Sequence, residues 1–341
     1  MTGAGDHSGA HPRRPRFHRQ SPPALRLTAD DLEIIRHVGR FRFLRSSHIA
    51  QLLPERSPKK IIGRLHALYH AGYLDRPRAQ INYFAQSGSA PIVYALGNEG
   101  AEILAETGAK PAPIVDWTDK NRTAKRPYIE HALMLADLMV GVERVTGQHK
   151  EAKLLSEEKL LELAPPETRK ARNPWALTGA FSEKGKRHSV TVAPDWVFAL
   201  EFPQSGKRSN FFVEIDRATM PVSRSDPNQT SFKKKLQTYL AAHRAKQHVD
   251  RLGFRNLRIL TVTTSAERIK SMLAAVDEIT ASKGSGMFLF ASREMFYQNA
   301  DPLTSPWITS RGPVLIDIRG VAPSPPAKTR LRPPDADATE A

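Results

Sequence analysis

Three carboxylates mark where this chain could carry chemistry. Asp195 opens the run Ala193-Pro-Asp-Trp-Val-Phe-Ala-Leu-Glu-Phe202, and Glu214 and Asp216 close the run Asn210-Phe-Phe-Val-Glu-Ile-Asp216. A Gly-containing turn separates them, so the pattern predicts a hairpin. Side chains on a strand repeat every two residues, which puts Phe212, Glu214 and Asp216 on one face. Three carboxylates are therefore expected near one end of the hairpin. Such a group repels itself unless a cation or a basic side chain neutralises it, which makes Asp195 and Glu214 candidate ligands for a divalent ion.

The elements expected to hold this hairpin alternate helix and strand. Residues 127–144 predict a helix with Leu135, Leu138, Met139 and Val142 as its apolar stripe. Glu130 and Asp137 are read as solvent-facing and His131 as a satisfied neighbour of the core. A strand and short helix fit within 153–161, and 165–186 reads as irregular. After the hairpin, 231–243 predicts a helix whose buried side is Phe232, Leu236, Tyr239 and Leu240. Strands at 256–263 and 286–290 flank a helix over 266–279 capped by Ser265. The order implies an α/β (α+β) domain with a mixed sheet.

Upstream, the periodicity is different. Thr28 is a good N-cap for a helix over 29–38, and a second short helix ends at Pro54. A third follows Ser57-Pro58 with Ile61, Leu65 and Leu68 on one face. Strand-like stretches at 74–84 and 91–96 and a helix capped by Asn98 complete about 80 residues. Three helices, a two-stranded ribbon and a closing helix form a winged helix-turn-helix plan, whose third helix enters a major groove. Arg42, Arg45, Lys59, Lys60 and Arg64 are the cations expected to meet double-stranded DNA, and replacing Lys60 and Arg64 is expected to weaken that binding. The competing use of such a domain is dimerisation or protein contact.

The whole chain is consistent with an anionic partner. Its 341 residues hold 51 Lys+Arg against 35 Asp+Glu, a formal charge of +16, and no cysteine. The absence of thiols excludes disulfides and zinc–thiolate sites, and no apolar run of spanning length occurs, so a soluble, cytoplasmic protein without membrane association is expected. The expected division is a disordered basic arm over 1–24, the DNA-binding domain over 25–109, a linker over 110–126, the sheet domain over 127–320 and a disordered tail over 321–341.

A helix bearing an acid, then Pro194-Asp195, then Glu214 near the end of the next strand, then a helix carrying a Tyr, is similar to the restriction-endonuclease-like PD-(D/E)xK fold. That resemblance implies that Asp195 and Glu214 hold Mg²⁺ and that a Lys two residues after the Glu positions the attacking water. Here that position is Asp216. Some relatives carry the Lys on the following helix, and Lys235, four residues before Tyr239, is the candidate for it; a solvated Lys run is the competing reading. The wider set resembles the replication-relaxation family of plasmids and other mobile elements. Its members are Leu27-Thr-x-x-Asp-Leu-x-Ile-Ile35, Arg64-Leu-x-x-Leu-x-x-x-Gly-Tyr-Leu74, the His131 helix, Pro194-Asp195, Phe212-x-Glu-Ile-Asp-Arg-x-Thr219 and Lys235-x-x-x-Tyr239. The resemblance implies an accessory DNA-binding role in replication or DNA relaxation, with replication or relaxosome proteins and a second copy of the chain as further partners, and with the nuclease-like site degenerate. The alternatives are a Mg²⁺-dependent endonuclease using Asp195, Glu214, Asp216 and Lys235, and a transcriptional regulator.

Overall fold

Thr28 starts the first helix because its side chain accepts from the Asp31 N–H, while Asp31 accepts in return from the Thr28 N–H at 2.7 Å. This reciprocal cap opens the first of two compact units in the computed structural model. One unit comprises residues 1–144 and 215–217, the other 145–214 and 218–341. The structure describes residues 17–20, 25–81, 90–109, 116–149, 151–183, 185–226, 229–297 and 301–316. The expectations for most of the basic arm, for the ribbon tip and for the C-terminal tail lie outside those residues.

In the first unit, α1 (Ala29–Phe41) leads into β1 (Phe43–Arg45), α2 (Ser46–Leu52) and α3 (Pro58–His70), followed by β2 (Leu74–Asp75) and β3 (Val93–Leu96). The strands form an antiparallel sheet in the order β1-β3-β2. Ser57 caps α3 with Pro58 in its first turn, and Gly72 at φ 87° turns the chain after it, as the sequence predicts. β2 has only two residues. Residues 78–80 form a 3₁₀ turn, so the described part of the expected 74–84 strand is largely not a strand. α4 (Asn98–Glu106) is preceded by Gly97 as its N-cap. The Asn98 side chain instead accepts from the N–H groups of Trp117 and Thr118.

Two further helices belong here. The stretch expected to be a linker contains α5 (Trp117–Thr123), capped by Asp116. α6 (Arg126–Gln148) counts in this unit through Arg144, and Ile129, Ala132 and Leu133 pack with Phe43, Val93 and Ala95. Within the arm, Arg19 donates to the carbonyls of Tyr69 and Leu74, both at 3.0 Å.

The second unit is a mixed α+β layer. β4 (Lys153–Leu155), α7 (Glu157–Leu163) and α8 (Pro166–Lys170) precede a ribbon of β5 (Leu177–Glu183) and β6 (Lys186–Val192). Next come the hairpin strands β7 (Trp196–Phe202) and β8 (Lys207–Ile215), then α9 (Phe232–Arg244), α10 (Gln247–Asp250), β9 (Arg258–Thr263), α11 (Ala266–Ile279) and β10 (Phe288–Ser292). α12 (Glu294–Tyr297), β11 (Trp307–Thr309) and β12 (Gly312–Val314) complete it. The large sheet runs β12-β11-β10-β9-β8-β7-β4, with β9 and β10 parallel and the β7–β8 hairpin antiparallel in the register Trp196↔Val213.

The segment read as irregular contributes β5 and part of the ribbon, and this changes α9. Gly179 of β5 sits so close to α9 that a Cβ there would lie 2.4 Å from the Thr238 carbonyl oxygen. β5 thus packs directly on α9, and Lys234, which helix geometry sets nearly opposite the apolar stripe, is buried.

Asp31 has the sharpest energetic role in the first unit. It is fully buried, and Arg64 grips both of its oxygens, one through Nε at 2.8 Å. Burial pushes the Asp31 carboxyl up, but the bonds from Arg64 and Thr28 outweigh it and leave the group below its ordinary range. A depressed carboxylate stabilises the fold above its unfolded pKa, and that stability is lost as pH falls through the folded value. Arg64→Ala, which strands a buried charge, is expected to cost about 3 kcal/mol in urea denaturation at pH 7, and Asp31→Asn added to it to recover part of the loss. An Arg64→Ala protein as stable as the parent would show that the pair contributes nothing.

Candidate functional site

Glu214 sits near the end of β8, a strand buried on both faces from Asn210 to Ile215. Its apolar neighbours Phe211, Phe212 and Val213 hold it in the sheet interior, where a bare carboxylate is costly. α9 supplies the compensation. Ser231 caps that helix, and Lys235 and Tyr239, four residues apart, both face Glu214. The Lys235 ammonium donates to Glu214 Oε2, and the Tyr239 hydroxyl donates to Oε1 at 2.5 Å. Burial dominates the titration of Glu214 and raises it to about 7, against the pull of Lys235 and with a further push from the charge of Asp195. The Tyr239 hydroxyl is pushed well up by burial and by Glu214.

Asp195 immediately precedes β7, and its N–H donates to the Val213 carbonyl at 2.9 Å, which ties it to the Glu214 strand. Asp216 lies one residue past β8 and is buried, within the run 215–217 that clusters with the first unit. Asp195 lies close enough to Glu214 for its charge to act on it. Among the described residues, no group of three or more His, Asp or Glu side chains stands at metal-holding spacing. Glu214 is enclosed, with one oxygen accepting from Lys235 and the other from Tyr239. Mg²⁺ needs ionised oxygens open to it and keeps several of its own waters, so this donor set does not fit the ion. The sequence placed Lys235 correctly beside Glu214. It could not tell that the same contact would occupy the carboxylate.

The five cations expected to meet DNA divide into two groups. Arg42, at φ 69°, lies over the rings of Phe43 and Trp117 at 4.6 and 4.9 Å, and burial pushes its guanidinium below its usual range. Arg45 pairs with Asp137. His48 Nδ1 accepts from the Arg45 N–H, which leaves Nε2 as the donor to the same carboxylate at 2.7 Å. Arg64 is spent on Asp31. These three therefore have partners within their own unit, and Asp137 is a half-buried counter-charge rather than the solvent-facing acid expected. Sequence reasoning missed His48 and Asp137, although an acid flanked by Ala136 and Leu138 within the otherwise apolar stretch 132–142 was the available signal.

Lys59 and Lys60 are different. Both are exposed on α3, whose buried side is Ile61, Leu65, Leu68 and Tyr69. The outward stripe also contains Ile62, 58% exposed, with Gly63 and His66, and α3 holds no acidic residue. A Cβ added at Gly63 would meet nothing within 4 Å, so no packing in the unit requires glycine there. In an exposed helix interior it costs about 1 kcal/mol relative to alanine. His66 and His70 approach each other at 3.1 Å between their Nε2 atoms.

Residues 35–257 match a protein-family model described as replication-relaxation. Among solved structures, one titled "Structure of SdaI restriction endonuclease" aligns over 73% of this chain and 84% of its own, at 12% identity and a TM-score of 0.18. That likeness is too low to bear on the fold. No curated protein matches.

The Glu214 titration has a definite sign. Its folded pKa lies above its ordinary 4.5, so the folded state binds the proton more tightly. Its contribution is therefore fully present below 4.5 and is lost as pH rises towards 7, by roughly 3 kcal/mol. Unfolding free energies from urea titrations between pH 4.5 and 8 should fall by that amount more in the parent than in Glu214→Gln. Parallel profiles would mean that Glu214 titrates normally.

Proposed function

The chain belongs to the replication-relaxation family, and from that premise we propose that it is a DNA-binding accessory protein of plasmid or mobile-element replication or DNA relaxation. In this reading the first unit is a winged helix that docks α3 on duplex DNA, and the second is a nuclease-like domain that no longer cleaves. One observation carries the proposal: the outward face of α3, free of acids, presents Lys59 and Lys60 from a chain of net charge +16. The order α1-β1-α2-α3-β2-β3 around a β1-β3-β2 sheet supports the winged-helix assignment. The αβ order from β7 through β9 around the hairpin supports descent from a PD-(D/E)xK core.

Loss of catalysis follows from the Glu214 environment. A nuclease carboxylate must be ionised and open to metal and phosphate, whereas this one is buried between a Lys and a Tyr. With chemistry set aside, the second unit's role is contact with DNA or with replication and relaxosome proteins in a cytoplasm. No helix among the described residues is long and apolar enough to cross a membrane.

A second reading has one specific observation in its favour. Lys235 touches Glu214, which is where a Lys displaced from strand to helix belongs in an endonuclease that uses Asp195 and Glu214. Supercoiled plasmid with Mg²⁺ or Mn²⁺ separates the two. Binding without nicking is expected; nicking that disappears in Asp195→Ala and Glu214→Ala would establish the endonuclease instead.

For the binding surface, Lys59→Gln with Lys60→Gln is expected to weaken duplex affinity. The double variant should also lower the log–log salt slope by about 2, because each phosphate contact contributes nearly one counterion. Its urea midpoint should match the parent's, since both side chains are exposed. An unchanged slope would move the DNA surface away from α3.

A further inference from the structure

The outward stripe of α3 is unusual in composition as well as in charge. Lys59, Ile62, Gly63 and His66 stand at i, i+3, i+4 and i+7, so they form one continuous face, and all four are exposed. A solvated helix face ordinarily carries long polar side chains. This one places a bare backbone position and a branched apolar side chain at its centre, between cations and an imidazole. Neither central residue benefits the isolated unit: Gly63 lowers helix propensity without relieving a contact, and Ile62 leaves its side chain in water.

Both make sense against a groove. A helix comes nearest to a surface where it lacks a Cβ, and glycine is the residue that permits such an approach. An apolar side chain beside that point meets the one apolar group on the major-groove floor, the C5 methyl of thymine. We propose that α3 reads duplex DNA through this stripe, with Gly63 as its point of closest backbone approach and Ile62 against a thymine methyl. The inference rests on the DNA-binding reading above and deepens it. It predicts a site containing thymine, held by Lys59 and Lys60 on flanking phosphates. A protein partner fits the face less well, because a helix without acids and with clustered cations calls for an anionic surface.

The test begins by selecting the tightest duplex from a random pool with the full-length protein. Affinities are then measured for the parent, Gly63→Ala, Gly63→Leu and Ile62→Ala, on that duplex and on its copy with uracil in place of thymine. Both Gly63 variants should melt above the parent, since each improves the helix, yet Gly63→Ala should bind about tenfold more weakly and Gly63→Leu more weakly still. Uracil should reduce the parent's affinity about fourfold, the value of one buried methyl, and should leave Ile62→Ala unaffected. A Gly63→Leu protein that binds as well as the parent overturns the close approach. Equal affinity of the parent for thymine and uracil duplexes overturns the Ile62 contact. If no duplex is selected at all, the DNA-binding reading itself falls, and the inference with it.

Discussion

A carboxylate removed from water must be met by a cation, a proton or several hydrogen bonds, and that condition bears on the buried Asp31 and Glu214 and on the half-buried Asp137. Asp31 is met by Arg64 and the Thr28 cap, Asp137 by Arg45 and His48, and Glu214 by Lys235 and Tyr239. Each pairing joins residues distant in sequence, so each also fixes how elements pack. Asp31 and Arg64 tie α1 to α3; Asp137, Arg45 and His48 tie α6 to the start of α2; Glu214 and its partners tie β8 to α9.

This condition redistributes the basic charge. A surplus of Lys and Arg suggests a surface made for phosphates, yet several cations nearest the proposed DNA-binding helix neutralise internal acids or stack on aromatic rings. On α3 itself the exposed cations that remain are Lys59 and Lys60. The surplus still governs long-range attraction to an anion, because a paired Arg cancels its partner and leaves the net charge to the unpaired groups.

The second unit shows how the same condition bears on catalysis. Neutralising Glu214 with a Lys and a Tyr from α9 stabilises a sheet interior that would otherwise reject it. The arrangement also removes the carboxylate from service as a ligand for a hard cation. β5 and β6 also pack against α9, the helix carrying Lys235 and Tyr239.

Local patterns were legible in the amino-acid order alone. Thr28, Ser57, Ser231 and Ser265 announce helix starts because capping is a short-range hydrogen bond, and the apolar spacing of α3 and α9 identifies their buried faces. The β7–β8 hairpin and the acids at its ends were equally readable from period and spacing, whereas Lys235 came from the family resemblance. Tertiary structure decided which charges face inward. Whether Arg64, Arg45 or Asp137 meets water or an opposite charge depends on a partner many residues away, and no local period encodes that. It also decided that Lys234 is buried, because a ribbon from an unpromising segment closes over α9. For the opening carboxylates, spacing placed them near one strand end; packing enclosed Glu214 between Lys235 and Tyr239.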